Sequence, residues 1–527
     1  MPIVSSHAIL RTVLLATLWG AGCAKQLPVD NRTPIELQAE RAAEQGPDQP
    51  LEQARLASMV WAEGDLDRAE KLLRAVVGRI QDQRGEGQLR ATLGAEDRKE
   101  WKGEPYERMM AAFLLGTLLL EDGDTGNALA MSKAALLSDT GTSARPYRSD
   151  FVPAYVLQAL AFHELGERNN AERSIEQAID AVYLRTATGM LADRLVEVEG
   201  PGGRGEGAAR ALLLAGLPAG LMAHPRDLHG AIDGALSYAT DARALALDTP
   251  KRRRADDVRP LSNRELRTSL EALEPLVKGW HDAIADDATR LEEQLADDEG
   301  FLRSLMDKPP SLLLWVERGR GPVKVADGRY GEIQRIRSIG NAPTPPDLRV
   351  DGRVVASHYL DSVVWQAQTR GSRRVDGFLK GKAIFKDAAP FLGYAAMVAG
   401  DVARVLEEPG DSGAVGTALY ILGAATWVAG WATNPRADTR TWLELPDELY
   451  LVAANPPPGR HTIDLDGRSY QVDIPDDGTV VHLIPQLGPG PATFGTPCVQ
   501  CRAEAPEAID GPLAIPAESE PPPGDAP

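Results

Sequence analysis

Three stretches of this sequence decide the fold: LASMVWAEGDLDRAEKLLRAVV at residues 56–77, LGTLLLEDGDTGNALAMSKAAL at 115–136 and QALAFHELGERNNAERSIEQAI at 158–179. Aligned on a central glycine, they share one pattern. A small residue stands seven positions before the glycine, an alanine five positions after it, and a small or branched residue seven further on. The positions are Ala57, Gly64, Ala69 and Val76; Gly116, Gly123, Ala128 and Ala135; and Ala159, Gly166, Ala171 and Ala178. Apolar residues at helical spacing surround each glycine. The glycine therefore reads as the end of one helix, and the alanines as places where a second helix packs closely on the first. A helical hairpin is expected at each site.

These matched positions are the helix-contact positions of the tetratricopeptide repeat, which the three stretches resemble. Their glycines lie 59 and 43 residues apart, more than the repeat's usual length of about 34, so insertions separate the units. The resemblance implies an array over residues 51–198 whose stacked helices offer a concave surface to a peptide or partner protein.

Outward from the array, the whole chain has 527 residues, enough for several domains. Lys and Arg total 57 against 76 Asp and Glu, a net charge of −19. That balance lacks the basic face a general nucleic-acid binder needs, and it disfavours nonspecific adhesion to an anionic membrane. Three cysteines are too few for a disulfide framework or a four-cysteine metal site.

Residues 1–22 hold one basic residue, Arg11, and no acid; the apolar run Thr12–Trp19 is followed by Gly20-Ala21-Gly22 and then Cys23. This is the layout of a secretory signal, too short to be a permanent membrane span. Small residues directly before a cysteine resemble the lipobox of bacterial lipoproteins, except that Gly20 stands where leucine is usual. The resemblance implies acylation of Cys23. Ala24 in place of an aspartate implies the outer membrane. Residues 23–50 read as a linker.

Residues 199–300 read as a glycine-rich insertion followed by helices. Gly200-x-Gly202-x-x-Gly205 follows a short apolar run, Leu195–Val198, which reads as a strand and so formally opens a dinucleotide fingerprint. No acid-bearing second strand follows at the required distance, so a loop is expected and no nucleotide. Lys251-Arg-Arg-Arg254 is followed by Asp256 and Asp257, the pattern of a solvated connection.

Strands begin near residue 311. Ser311–Glu317 is an apolar β run that Gly319–Pro322 turns into Val323–Val325, a strand hairpin. Within residues 301–435 this hairpin is joined by two apolar segments. One is Ala388–Gly400; the other, Gly413–Thr433, carries no charge in 21 residues. The second is long enough to span a bilayer, but its glycines suit a buried helical hairpin with the first. Gly410-Asp-Ser-Gly413 lacks any matching histidine motif and reads as a helix cap.

Residues 436–485 alternate like half-buried antiparallel strands, as in Thr462/Asp464 against Ile463/Leu465. Residues 486–527 hold ten prolines and six acids against one arginine, the composition of a disordered tail. Cys498 and Cys501 lie in it. A lone CxxC supplies half the ligands of a zinc site, so a local disulfide is expected there and no metal. The fold class is α+β: a tetratricopeptide-like helical array, a mixed region with a buried apolar helical hairpin, and a small C-terminal antiparallel β module.

Four short motifs occur along this one chain: Gly103-Glu-Pro-Tyr-Glu107, the Leu314–Val323 turn, Ala437-Asp-Thr-Arg-x-Trp442-x-x-Leu445-Pro446 and Pro458-Gly-x-His-Thr462. Together they resemble an uncharacterised family of bacterial tetratricopeptide lipoproteins. The family implies an exported, lipid-anchored architecture and no activity. Asp438, Arg440, Trp442 and Pro446 read as structural, a charged pair and an aromatic pinning the apolar helix to the β module. The eight histidines are scattered, with no zinc-protease, nucleophile-elbow or phosphate-loop motif. The expected function is a non-enzymatic envelope scaffold without cofactor. It would hold a periplasmic or envelope protein through its repeats and the membrane through its lipid. The alternative, by analogy, is a regulator of an envelope enzyme such as a peptidoglycan synthase.

Overall fold

Seven helices open the described part of the chain: α1 Pro34–Ala43, α2 Gln49–Ala62, α3 Leu66–Gln81, α4 Pro105–Glu121, α5 Thr125–Asp139, α6 Val152–Glu164 and α7 Arg168–Glu199. They come from a computed structural model that describes residues 32–81, 99–139, 150–199, 293, 295–307, 309–327, 331, 333–339, 343–369, 397, 422, 436–486 and 493–494. Residues 34–43, expected within a linker, form α1. The Thr33 side chain accepts from the Glu36 amide while Glu36 reaches back to the Thr33 amide, a reciprocal cap that starts the helix. Gln38 then donates to the Glu52 backbone and side chain, which seats α1 on α2.

Helices α2 and α3, α4 and α5, and α6 and α7 form three hairpins closed by one device. Gly64, Gly123 and Gly166 have φ of 87°, 77° and 74°. In each case the glycine amide bonds the carbonyl three residues back, and the next amide bonds the carbonyl five back: Asp65 to Val60, Asp124 to Leu119 and Glu167 to Phe162. This is the Schellman closure, which only glycine adopts without strain. Ala57, Ala69, Ala128, Ala159 and Ala171 have no solvent exposure. Gly116 is tighter still, since a Cβ there would lie 2.8 Å from Leu157 and 3.1 Å from Met131.

Eleven strands follow in the described residues: β1 Leu312–Arg318, β2 Val323–Asp327, β3 Ile333–Arg337, β4 Leu348–Val350, β5 Arg353–Val355, β6 Ser357–Ser362, β7 Glu448–Ala454, β8 Gly459–Leu465, β9 Arg468–Ile474, β10 Val480–Ile484 and β11 Thr493–Phe494. A short helix, α8 Val363–Thr369, follows β6. Two larger sheets result, ordered β10-β1-β7-β6 and β11-β9-β8-β4-β5, with β2 and β3 paired apart. The class is α+β. The expected antiparallel module at 436–485 is not a unit of its own: β7 and β10 flank β1, while β8 pairs with β4. The β1–β10 pairing is also parallel. Nor do β1 and β2 form the expected hairpin, because β2 pairs with β3. The glycines between them serve a close approach instead. A Cβ on Gly321 would lie 2.7 Å from the Leu445 carbonyl, which accepts the Gly321 amide.

The position of β1 explains its unbroken apolar run. Leu313 and Trp315 enter the core shared with the helices, whereas Leu312, Leu314 and Val316 enter the core between the two sheets. A strand buried on both faces shows no alternation. The layers are therefore helices, four-stranded sheet and five-stranded sheet.

Candidate functional site

Residues 436–446 have no regular structure and run as a strap across the first two helical hairpins. Glu107, on the first turn of α4, is the centre of the contact. One of its carboxylate oxygens accepts from the Glu104 amide (2.7 Å) and from Lys324 Nζ (2.5 Å). The other accepts from the Trp442 amide (3.0 Å). The side chains of Glu107 and Lys324 are 0% and 1% exposed. A buried charge pair is tolerated when further hydrogen bonds fill its remaining positions, as here. Trp442 is fully buried and its indole N–H donates to Ser58 of α2 (3.1 Å). Arg55 donates to the Thr441 carbonyl (2.7 Å).

Arg440 grips Asp438 through Nε and Nη2 (2.9 and 2.8 Å) and reaches Asp48, just before α2, through Nη1 at 2.7 Å. Burial opposes the charge on Asp438, but the bonds from Arg440 outweigh it and hold the carboxyl below its ordinary range. Asp438, Arg440 and Trp442 thus act together, and Pro446 at the end of the strap is buried. They tie the strands to the helical array; the apolar segments 388–400 and 413–433 lie outside the described residues except for 397 and 422.

A second buried seam joins the third hairpin to β6 and α8. Asp361 accepts from the Val152 amide (3.1 Å) and pairs with Arg185 of α7 (3.4 Å). Gln366 donates to Asp150 (2.7 Å) and Asp361 (3.1 Å), and the Asp150 amide donates to Asp139 (3.1 Å). Burial first, then the neighbouring Asp139 and Asp361, push the Asp150 carboxyl well above its usual value. Burial lifts Asp361 to about 6 against the pull of Arg185.

Helix α4 has no open face: all its residues except Arg108 and Glu121 are buried. Phe113 meets Trp315 of β1 edge-on at 5.2 Å and Phe151 at 5.6 Å. From Val152 to Ala161 in α6 only Tyr155 is less than buried. Where a bare array would present α4 and α6 to a partner, the four-stranded sheet of the same chain fills the space.

Of the repeat residues, Gly116 and the alanines Ala57, Ala69, Ala128, Ala159 and Ala171 lie in the helical core, whereas Gly64, Gly123 and Gly166 close the hairpins towards the surface. Cys23, Cys498, Cys501, the Gly200–Gly205 loop and Lys251–Arg254 lie outside the described residues. Leu195–Val198, read as a strand ahead of that loop, is the end of α7. Sequence reasoning missed Lys324, Asp361 and Arg185. Lys324 left one signal, a charge between Val323 and Val325 at the buried phase of its strand. A cavity of about 190 Å³ at the ends of β1 and β10 is lined by the Arg318–Asp466 pair, Arg468 and Tyr470. Among the described residues no group of His, Cys, Asp and Glu is arranged to hold a metal ion, and no helix is long and apolar enough to cross a membrane. What both seams do is fasten helices to strands. No family model, curated protein or solved structure matches the chain.

Proposed function

We propose that this chain is a non-enzymatic, lipid-anchored protein of the bacterial cell envelope that holds a partner protein on its helical repeats. The observation that carries the reading is the thrice-repeated helix–glycine–helix hairpin with unexposed alanines at the crossings, the packing of a tetratricopeptide-type array. The signal-like start ending at Cys23 supplies the anchor. Because α4 and α6 are filled from within, the partner is assigned to the outer faces of α3, α5 and α7.

The test is photocrosslinking in cells from Lys71, Leu137 and Arg173, all exposed. One identified protein captured from at least two of these positions supports the reading, and capture from none of them overturns it. Cys23→Ala should move the chain from the membrane to the soluble fraction. An unacylated N-terminus in the mature protein removes the anchor from the proposal.

A further inference from the structure

His461 opens β8 and is 8% exposed. Its Nδ1 lies 2.7 Å from a carboxylate oxygen of Asp351, and its Nε2 lies 2.6 Å from the Pro457 carbonyl. A carbonyl oxygen only accepts, so Nε2 carries a proton. Asp351 already accepts the Thr462 amide at 2.9 Å and is half exposed, the setting of an ionised carboxylate, so Nδ1 carries one too. Both bonds together require an imidazolium.

The two acceptors belong to separate pieces of chain. Asp351 sits at φ 49° in the turn between β4 and β5, and its amide donates to the Thr462 carbonyl (2.8 Å). Pro457 lies in the loop that carries the chain from β7 in one sheet to β8 in the other. That loop is moored at its far side, where Ser311 donates to Asn455 (3.2 Å) and to the Pro456 carbonyl (2.9 Å).

We propose that His461 is a pH-operated clasp on the crossover between the two sheets: charged, it ties the β4–β5 turn and the β7–β8 loop to one ring, and losing one proton frees the loop. The ring keeps Nδ1–H towards Asp351, because a lone pair facing a carboxylate is worse than one facing a carbonyl. Nε2 then presents a lone pair to the Pro457 oxygen at 2.6 Å, and the two must separate.

The charged groups that face the ring are Asp351 and, through it, Arg353. Across the strand pair stands uncharged Val472. The bond to Asp351 raises the histidine above its ordinary value of about 6.5, and the same bond lowers Asp351. A raised histidine adds stability that is complete below about 6.5 and is lost as pH rises through the folded-state value. The clasp is closed in mild acid and opens on the alkaline side.

The experiment is an NMR titration of the full chain with ¹³C-labelled histidine. One of the eight histidine signals should titrate above about 6.5 and return to or below that value in Asp351→Asn. Hydrogen-exchange protection of the Ser311 amide, which donates to Asn455 of the freed loop, should, corrected for intrinsic rate, fall across the same pH window and lose that dependence in His461→Gln. If His461→Gln does not fold, the Asp351→Asn titration decides alone. If no histidine signal of the wild-type chain titrates above about 6.5, or if Asp351→Asn leaves the raised signal in place, the proposal is overturned.

Discussion

The two buried seams both fasten helices to strands, the strap beside β2 and the third hairpin to β6, with different chemistry. At the strap, one carboxylate meets one ammonium, and every other bond Glu107 makes comes from a backbone amide. At the third hairpin, Asp139, Asp150 and Asp361 gather around Arg185 and Gln366. The first seam depends on both partners being present. The second depends on where protons sit, since burial and mutual repulsion favour the neutral form of at least one acid. Fastening helices to a sheet therefore does not dictate the polarity of the fastener.

The strongest way to break the comparison is to unbalance the balanced seam. Lys324→Met leaves the Glu107 carboxylate buried without its cation, which costs about 3–5 kcal/mol. Adding Glu107→Gln should recover part of that loss, because a neutral amide needs no counter-charge and its oxygen still accepts one backbone amide. Urea unfolding of the single and double variants measures both. If Lys324→Met leaves the midpoint in place, the pair is no fastener and the two seams differ in more than charge.

Residues far apart in sequence explain why so little of this was legible beforehand. The hairpins could be read because their determinants are local: Gly64, Gly123 and Gly166 end helices through bonds that span five residues. The strap contacts are not local. Glu107 and Lys324 are 217 positions apart, and Trp442 lies 384 positions from Ser58. The ADTRxW and GEPYE motifs could be singled out as unusual, but nothing in either names the other as its partner. Strand pairing failed for the same reason. Val323–Val325 looked like the natural mate of β1, whereas the residues that pair with β1 lie at least 130 positions away. The alternation in β8 was visible because its outer face stays polar, and the uniform run in β1 concealed which core each side chain enters.

A smaller effect sharpens the comparison by separating the array from its seams. Ala171 has no exposure and lies on α7, the helix that also carries Arg185. Ala171→Leu must push α7 away from α6 and should cost about 1–3 kcal/mol through overpacking. Combined with Lys324→Met the losses should add, since the sites share no partner. An unchanged thermal midpoint would place Ala171 at the surface and undo the register of the third hairpin.

The smallest expected effect bears on the acid-rich seam. Burial and the neighbouring Asp139 and Asp361 favour the neutral form of Asp150, and asparagine has nearly the shape of a neutral aspartic acid. Its side-chain oxygen still accepts from Gln366, and the backbone bond from Asp150 to Asp139 is untouched. At acidic pH Asp150→Asn should therefore change stability by less than about 1 kcal/mol. The pH dependence is where the variant departs from the wild type. A carboxyl whose folded-state value is raised binds its proton more tightly when folded. The stability it adds is complete below the unfolded value of about 3.9 and is lost as pH rises. For the wild type, stability should fall as pH rises from about 4, through the region near 6 where Asp361 titrates. Asp150→Asn keeps a group that never ionises, so its curve should be flatter than the wild type's. Parallel curves for the two proteins from pH 4 to pH 8 would show that Asp150 is already charged in the fold. The second seam would then be held by charge, as the first is.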